Sequence, residues 1–149
     1  MIGASFPQTS EAGAKLGRLH IFLAALLASL VAGAIGLIAV FGRGLLEPPS
    51  NTFISAGLVY AVIPGVPALL AIRRLLHNSR AGTARDLANT VSLSALAALL
   101  WFLPFVGVFV PYDQTNAVAA VGGMAGTHAL SGAIGGLAFW LLTRRGRNS

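Results

Sequence analysis

The stretch LHIFLAALLASLVAGAIGLIAVFG, residues 19–42, contains no charged side chain. As a helix it rises about 36 Å, more than the roughly 30 Å hydrocarbon core of a bilayer. Lipid offers backbone N–H and C=O groups no partner, so an apolar run that crosses it must be helical and satisfy itself. The same partition continues along the chain: 25 uncharged residues separate Glu47 from Arg73, 26 separate Asp86 from Asp113, and 30 separate Asp113 from Arg144. This spacing predicts spans at 19–42, 53–72, 87–110 and 117–142. No segment alternates apolar and polar residues as a β-barrel would. The expected fold is all-α, a transmembrane four-helix bundle over residues 19–143. A disordered tail at 1–18 and a basic tail at 144–149 flank it. Lys15 and Arg18 ahead of the first span, with Ala32-Gly33-Ala34 within it, resemble a signal peptide. The apolar run continues to Phe41, however, beyond a usual h-region of about 7–15 residues, so a retained helix is expected.

Composition agrees. Apolar residues make up 56% of the chain and charged residues 9%, against about a quarter charged in soluble domains. The net charge of +6 does not point to nucleic acid, because the basic residues form short clusters between apolar runs rather than a stripe. With no cysteine, thiolate catalysis, disulfide exchange and cysteine metal sites are excluded. Nine Arg against one Lys, with abundant Ala and Gly, suggests a GC-rich bacterial genome.

Orientation follows from the basic residues. Lys15 and Arg18 precede the first span. Arg73, Arg74, Arg80 and Arg85 fall between the second and third, and Arg144, Arg145 and Arg147 follow the fourth. Only Arg43 falls on the other side. Cytoplasmic loops carry the excess of Lys and Arg, so both termini are expected in the cytoplasm of a bacterial inner-membrane protein. The four arginines of the middle loop, with Arg144 and Arg145, set topology or touch anionic headgroups. Glu47-Pro48-Pro49 and Pro111-Tyr112-Asp113 read as short outer loops.

Helices meet in lipid through close backbone approach and hydrogen bonds. In the fourth span Gly122, Gly126, Ala129, Ala133 and Gly136 form a stripe of small residues expected to face protein, with Leu130, Ile134, Leu137 and Leu141 toward lipid. Ala25, Ser29, Gly33 and Gly36 make a similar ladder in the first span. Such faces suit bundle packing first, and a partner membrane protein or a second copy second. Pro64 and Pro67 predict a kink in the second span, since Pro64 brings no N–H to the carbonyl of Tyr60. Both even spans end in a double arginine, and Pro64-Gly65 can be laid over Gly135-Gly136. A two-helix hairpin repeated twice would give parallel repeats.

His128 is the one ionisable residue deep within a span. Such groups mark function by default, but without a carboxylate at its depth a structural role is the first expectation: a dry imidazole hydrogen-bonded to a neighbouring helix. Ser29 and Tyr60 lie at similar depth, and with His128 they make a candidate midplane polar site. His20 and His77 sit at the cytoplasmic edge, too far to join a metal site, and no metal or cofactor is expected. Asp86 is placed to cap the third helix, whose start is unusually polar with Asn89, Thr90, Ser92 and Ser94.

Tyr60-Ala-Val-Ile-Pro-Gly-Val-Pro-Ala-Leu-Leu, followed by Arg73-Arg74, resembles the second-helix segment of many small bacterial four-helix inner-membrane proteins, most of them uncharacterised. Ser131-Gly-Ala-Ile-Gly-Gly-Leu-Ala-Phe-Trp-Leu-Leu with Arg144-Arg145 is similar to their last helix. The resemblance implies an architecture and no activity. Small multidrug exporters differ in needing an acidic residue in the first helix, quinone-linked disulfide enzymes in needing cysteines, and four-helix haem proteins in needing paired histidines. The expected function is a non-enzymatic structural or accessory membrane subunit. The alternative is a small transporter or channel with a site near His128 and the kinked second span.

Overall fold

The computed structural model describes residues 8–41, 50–76, 83–106 and 117–145. Arg43, both outer loops, His77, Arg80, Arg147 and residues 107–110 of the third expected span lie outside the described residues. Four helices are present: α1 (Gln8–Phe41), α2 (Ser50–Leu75), α3 (Ala84–Phe102) and α4 (Ala117–Arg145), with a 3₁₀ turn at Leu103–Phe105 after α3. The chain is all-α. Within it Lys15–Ala39, Gly57–Leu75 and Val118–Arg144 are long and apolar enough to cross a membrane. The third helix, with Arg85, Asp86 and Asn89 in its first two turns, is not among them.

Three boundaries differ from the sequence reading. Residues 8–18, expected as tail, are helical. Once the long apolar span has nucleated, each further turn adds hydrogen bonds without a new nucleation cost, and no proline follows Pro7 to stop it. The third helix leaves the α ladder at Phe102 because Pro104 has no N–H to continue it, and the backbone tightens into a 3₁₀ turn. At its start the N-cap is Thr83 rather than Asp86: the Thr83 hydroxyl accepts from the Asp86 N–H at 3.2 Å. The second helix runs without a break from Ser50 to Leu75 through Pro64 and Pro67.

Glycines record how the helices meet. A Cβ on Gly33 would come within 2.7 Å of Ala61 Cβ, one on Gly65 would press Ser29, and one on Gly57 would press Leu37. The partner rises on α1 as it falls on α2, so the two helices are antiparallel. On the other side of α1, Gly36 faces Ser131 and Gly135 faces Ala32, which makes α4 antiparallel to α1. α3 is antiparallel to α4, with Gly132 against Ala98 and Gly136 against Ser94. The order around the bundle is thus α2, α1, α4, α3, and α2 and α3 close the ring with the sparsest contact.

These contacts repeat. Shifting α1 by 65 positions and α2 by 71 turns Ser29–Gly65 into Ser94–Gly136, and Gly33–Ala61 into Ala98–Gly132. The same shift turns Leu37–Gly57 into Phe102–His128, whose rings stack at 4.5 Å. The α1–α2 hairpin and the α3–α4 hairpin are therefore two copies of one packing unit, as the overlay of Pro64-Gly65 on Gly135-Gly136 anticipated. The seams between hairpins correspond as well. Gly36–Ser131 on the α1–α4 side maps onto Trp101–Tyr60 on the α3–α2 side, where the ring centroids are 5.7 Å apart. Small residues let the first seam close, and two large rings hold the second apart.

The packed core, with Ala24, Ala25, Ala28, Val66, Leu69 and Phe139, fills the end of the bundle that carries Arg18, Arg74 and Arg144. His20 Nε2 lies 3.2 Å from the Leu142 carbonyl there. Asp86, 3% exposed, accepts from Trp140 Nε1 at 3.2 Å, and the Arg144 guanidinium sits 4.9 Å over the Trp140 ring. Below it Thr90 donates to the Asp86 carbonyl at 2.8 Å. The polar start of α3 is thus a stripe of Asp86, Thr90 and Ser94 pressed on α4. A buried N–H facing a carboxylate is a charge-assisted bond, and losing it removes one of the carboxylate's partners. Trp140→Phe is accordingly expected to cost roughly 1–3 kcal/mol, read as a lowered unfolding midpoint in detergent, with Asp86→Asn milder because it keeps an acceptor. An unchanged midpoint in both variants would show that the bond contributes nothing.

Candidate functional site

Away from the packed end, the bundle encloses a partly open cavity of about 400 Å³. All four helices line it. The three residues proposed for a midplane site, Ser29, Tyr60 and His128, all lie on its wall, together with Pro64, Ser94 and Trp101. Two of the three come together: the Tyr60 ring meets the His128 ring edge-on at 6.2 Å between centroids. Ser29 sits deeper, level with Gly65, about 7 Å along the axis from Tyr60. Cavities of this size, mostly apolar with a few converging polar groups, are the usual form of a small-molecule site.

The wall hydroxyls of α1 and α4 are spent on their own helices. Ser29 Oγ donates to the Ala25 carbonyl at 2.8 Å. Thr127 Oγ1 donates to the Gly123 carbonyl at 2.9 Å, and Ser131 Oγ to the His128 carbonyl at 3.0 Å. Such back-bonding is what isolated hydroxyls do in an apolar setting. Ser94, 6% exposed, has a buried Oγ that makes no hydrogen bond among the described residues. No Asp, Glu, Lys or Arg appears among the described lining residues.

His128 departs from expectation. Its hydrogen bond is not to a neighbouring helix: Nδ1 lies 2.8 Å from the Met124 carbonyl, one turn back on α4. Its contacts with other helices are aromatic, a stack on Phe102 of α3 and the edge contact with Tyr60 of α2. The register explains this. Across the α3–α4 seam His128 faces Phe102, whose ring offers it a stacking surface and no hydrogen-bond partner.

The small-residue stripe of α4 is also corrected. Gly136 is buried, Ala129 and Ala133 are half-buried, and Gly122 and Gly126 are exposed with nothing within 4 Å of an added Cβ. The face that packs holds Gly132, Gly135, Gly136, Phe139 and Trp140, about a quarter turn round the helix. Leu130, Leu137 and Leu141 are exposed as expected, and Ile134 is half-buried. Arg73 is half-buried, and Arg74, Arg85 and Arg144 are exposed at the end of the bundle that carries the packed core.

Trp101 and Phe102 escaped the sequence reading, which placed Ser94 only in the polar start of the third helix. The available signal was spacing, since Asp86, Thr90, Ser94 and Ala98 recur every four residues and mark one face of α3. No protein-family model, curated protein or solved structure matches the chain, so its site rests on this geometry.

Proposed function

We propose that the chain is a non-enzymatic bacterial inner-membrane protein that holds a small, uncharged and largely apolar molecule within its bundle, as a carrier does. The cavity of about 400 Å³, with no charged residue among the described residues that line it, carries this reading. An ion moved there would leave water for a wall with no counter-charge, at a cost of many kcal/mol. An apolar molecule pays no such cost. Among the described residues the wall has no carboxylate to orient His128 as a base, which weighs against catalysis.

Four crossings fit the helix pairing. α3 runs against α4 from Asp86 beside Trp140 to Phe102 beside His128, about 24 Å of shared axis, so the two cross together. Exposed Phe22, Leu27, Ile38, Val59, Ile63, Leu96, Leu100 and Leu130 suit a lipid-facing surface better than a watery one. The grouping of Arg18, Arg74, Arg85 and Arg144 at one end supports termini in the cytoplasm. Single cysteines at Asn51, Ser79, Gln114 and Asn148 test this in a chain that has none. An impermeant thiol reagent on intact cells is expected to reach 51 and 114 only, and labelling at 79 or 148 reverses the orientation.

The ligand reading is tested by gentle purification into nanodiscs and native mass spectrometry, with a stoichiometric neutral lipophile expected. A second reading, an accessory subunit or homo-oligomer, is favoured by the open surface at Gly122 and Gly126. A stoichiometric protein partner in the same spectrum, with no small molecule, would favour it.

A further inference from the structure

His128 carries a feature that the cavity alone does not explain. A backbone carbonyl can only accept, so the 2.8 Å contact with the Met124 carbonyl places a proton on Nδ1. In the neutral ring the other nitrogen, Nε2, then holds a lone pair and no proton. Nε2 makes no hydrogen bond among the described residues. The ring is held from two sides, stacked on Phe102 and set edge-on to Tyr60, so it cannot swing freely to find a partner. A fixed acceptor therefore sits in the wall of a cavity whose other described hydroxyls on α1 and α4 are turned back on their own helices.

From this fixed acceptor we infer that His128 selects ligands that carry a hydrogen-bond donor: a neutral lipophile with one hydroxyl or N–H end, held at His128 Nε2. The inference rests on the ligand-binding reading above and names the chemistry of its substrate. The donor end sits beside Tyr60 and Trp101. The apolar body lies along the alanine wall of Ala32, Ala61, Ala97 and Ala98. An ether or hydrocarbon of the same size would fill the same space but leave Nε2 unbonded in an apolar setting, where a missing hydrogen bond is felt most. Donor specificity of this kind differs from discrimination by size, because the wrong ligand leaves an acceptor unpaired whereas a methylene more or less changes only the area buried.

The test uses the full chain in nanodiscs and two isomers of one formula, 1-decanol and 1-methoxynonane. Both have the same heavy atoms, and only the alcohol donates. Binding is read from the unfolding midpoint as each probe is titrated and expressed per mole fraction in the bilayer, because the two partition differently. The alcohol is expected to bind about tenfold more tightly than the ether, the value of one hydrogen bond. His128→Phe keeps a ring to stack on Phe102 and removes the acceptor, and there the two probes are expected to bind equally. Equal binding to the unaltered protein would overturn donor selection while leaving the cavity as a ligand site. A preference that survives His128→Phe would place the acceptor elsewhere. Binding of neither probe would remove both readings. The comparison on the unaltered protein decides the matter even if the variant does not fold.

Discussion

Gly132→Ala is expected to destabilise the bundle by roughly 1–3 kcal/mol, while Gly126→Ala, two turns away on the same helix, leaves stability unchanged or raises it. A Cβ on Gly132 would come within 2.6 Å of the Ser94 carbonyl oxygen, 2.6 Å of Ala98 Cβ and 3.2 Å of Ala95 Cα. Two of these belong to backbone, so α3 itself must move. A Cβ on Gly126 meets nothing within 4 Å. The intrinsic helix preference for Ala over Gly, up to about 1 kcal/mol, then acts alone there. Unfolding of the two variants in mild detergent, followed by circular dichroism against added denaturing detergent, reads the difference. Equal midpoints would mean that α3 and α4 do not meet at this face.

Shrinking the two large rings of the open seam, Tyr60→Ser with Trp101→Ala, is expected to close the cavity and abolish binding of an apolar probe such as 1-decanol, a loss of more than about tenfold. The opposite seam already shows the outcome, since Gly36 and Ser131 occupy the corresponding places and their helices pack closely. In lipid no hydrophobic drive holds helices together, and backbone approach at small residues supplies the attraction instead. With the rings gone, α2 and α3 can settle as α1 and α4 do, and the variant keeps its thermal stability. If the seam stayed open, the deleted side chains would enlarge the cavity and cost several kcal/mol. A much less stable variant that binds bulkier probes would therefore sink the idea.

The helices were legible in the sequence because charged residues set off four long apolar runs. The packing face of α4 was not. Small residues occur on more than one side of that helix, so size sorting permits the stripe through Gly122 and Gly126 as readily as the face through Gly132 and Gly135. What decides between them is the partner: Ser94 and Ala98 on α3 and Ala32 on α1 offer flat surfaces only to the second face. The same dependence hid the cavity. Depth along each helix put Ser29, Tyr60 and His128 near one level, whereas Ser29 sits with Gly65 and only Tyr60 and His128 meet, and the space beside them borders a seam where Tyr60 meets Trp101, which no single helix contains. The duplication was faint in residue identities and plain in contacts, since packing preserves small-against-small pairs while the residues themselves change.

The repeated hairpin bears on how the chain is made. Each α1–α2 or α3–α4 pair closes its own antiparallel contacts before the other is needed, at Ser29–Gly65 in the first and Ser94–Gly136 in the second. A ribosome delivers the first pair complete, with the Arg73-Arg74 end already synthesised, before the third helix emerges. The chain can then fold as two successive units of the same kind, and assembly reduces to joining them along the close α1–α4 seam and the sparser α2–α3 seam. A gene cut between Leu76 and Thr83 would in this view yield two half-proteins that each close their own hairpin and join when produced together.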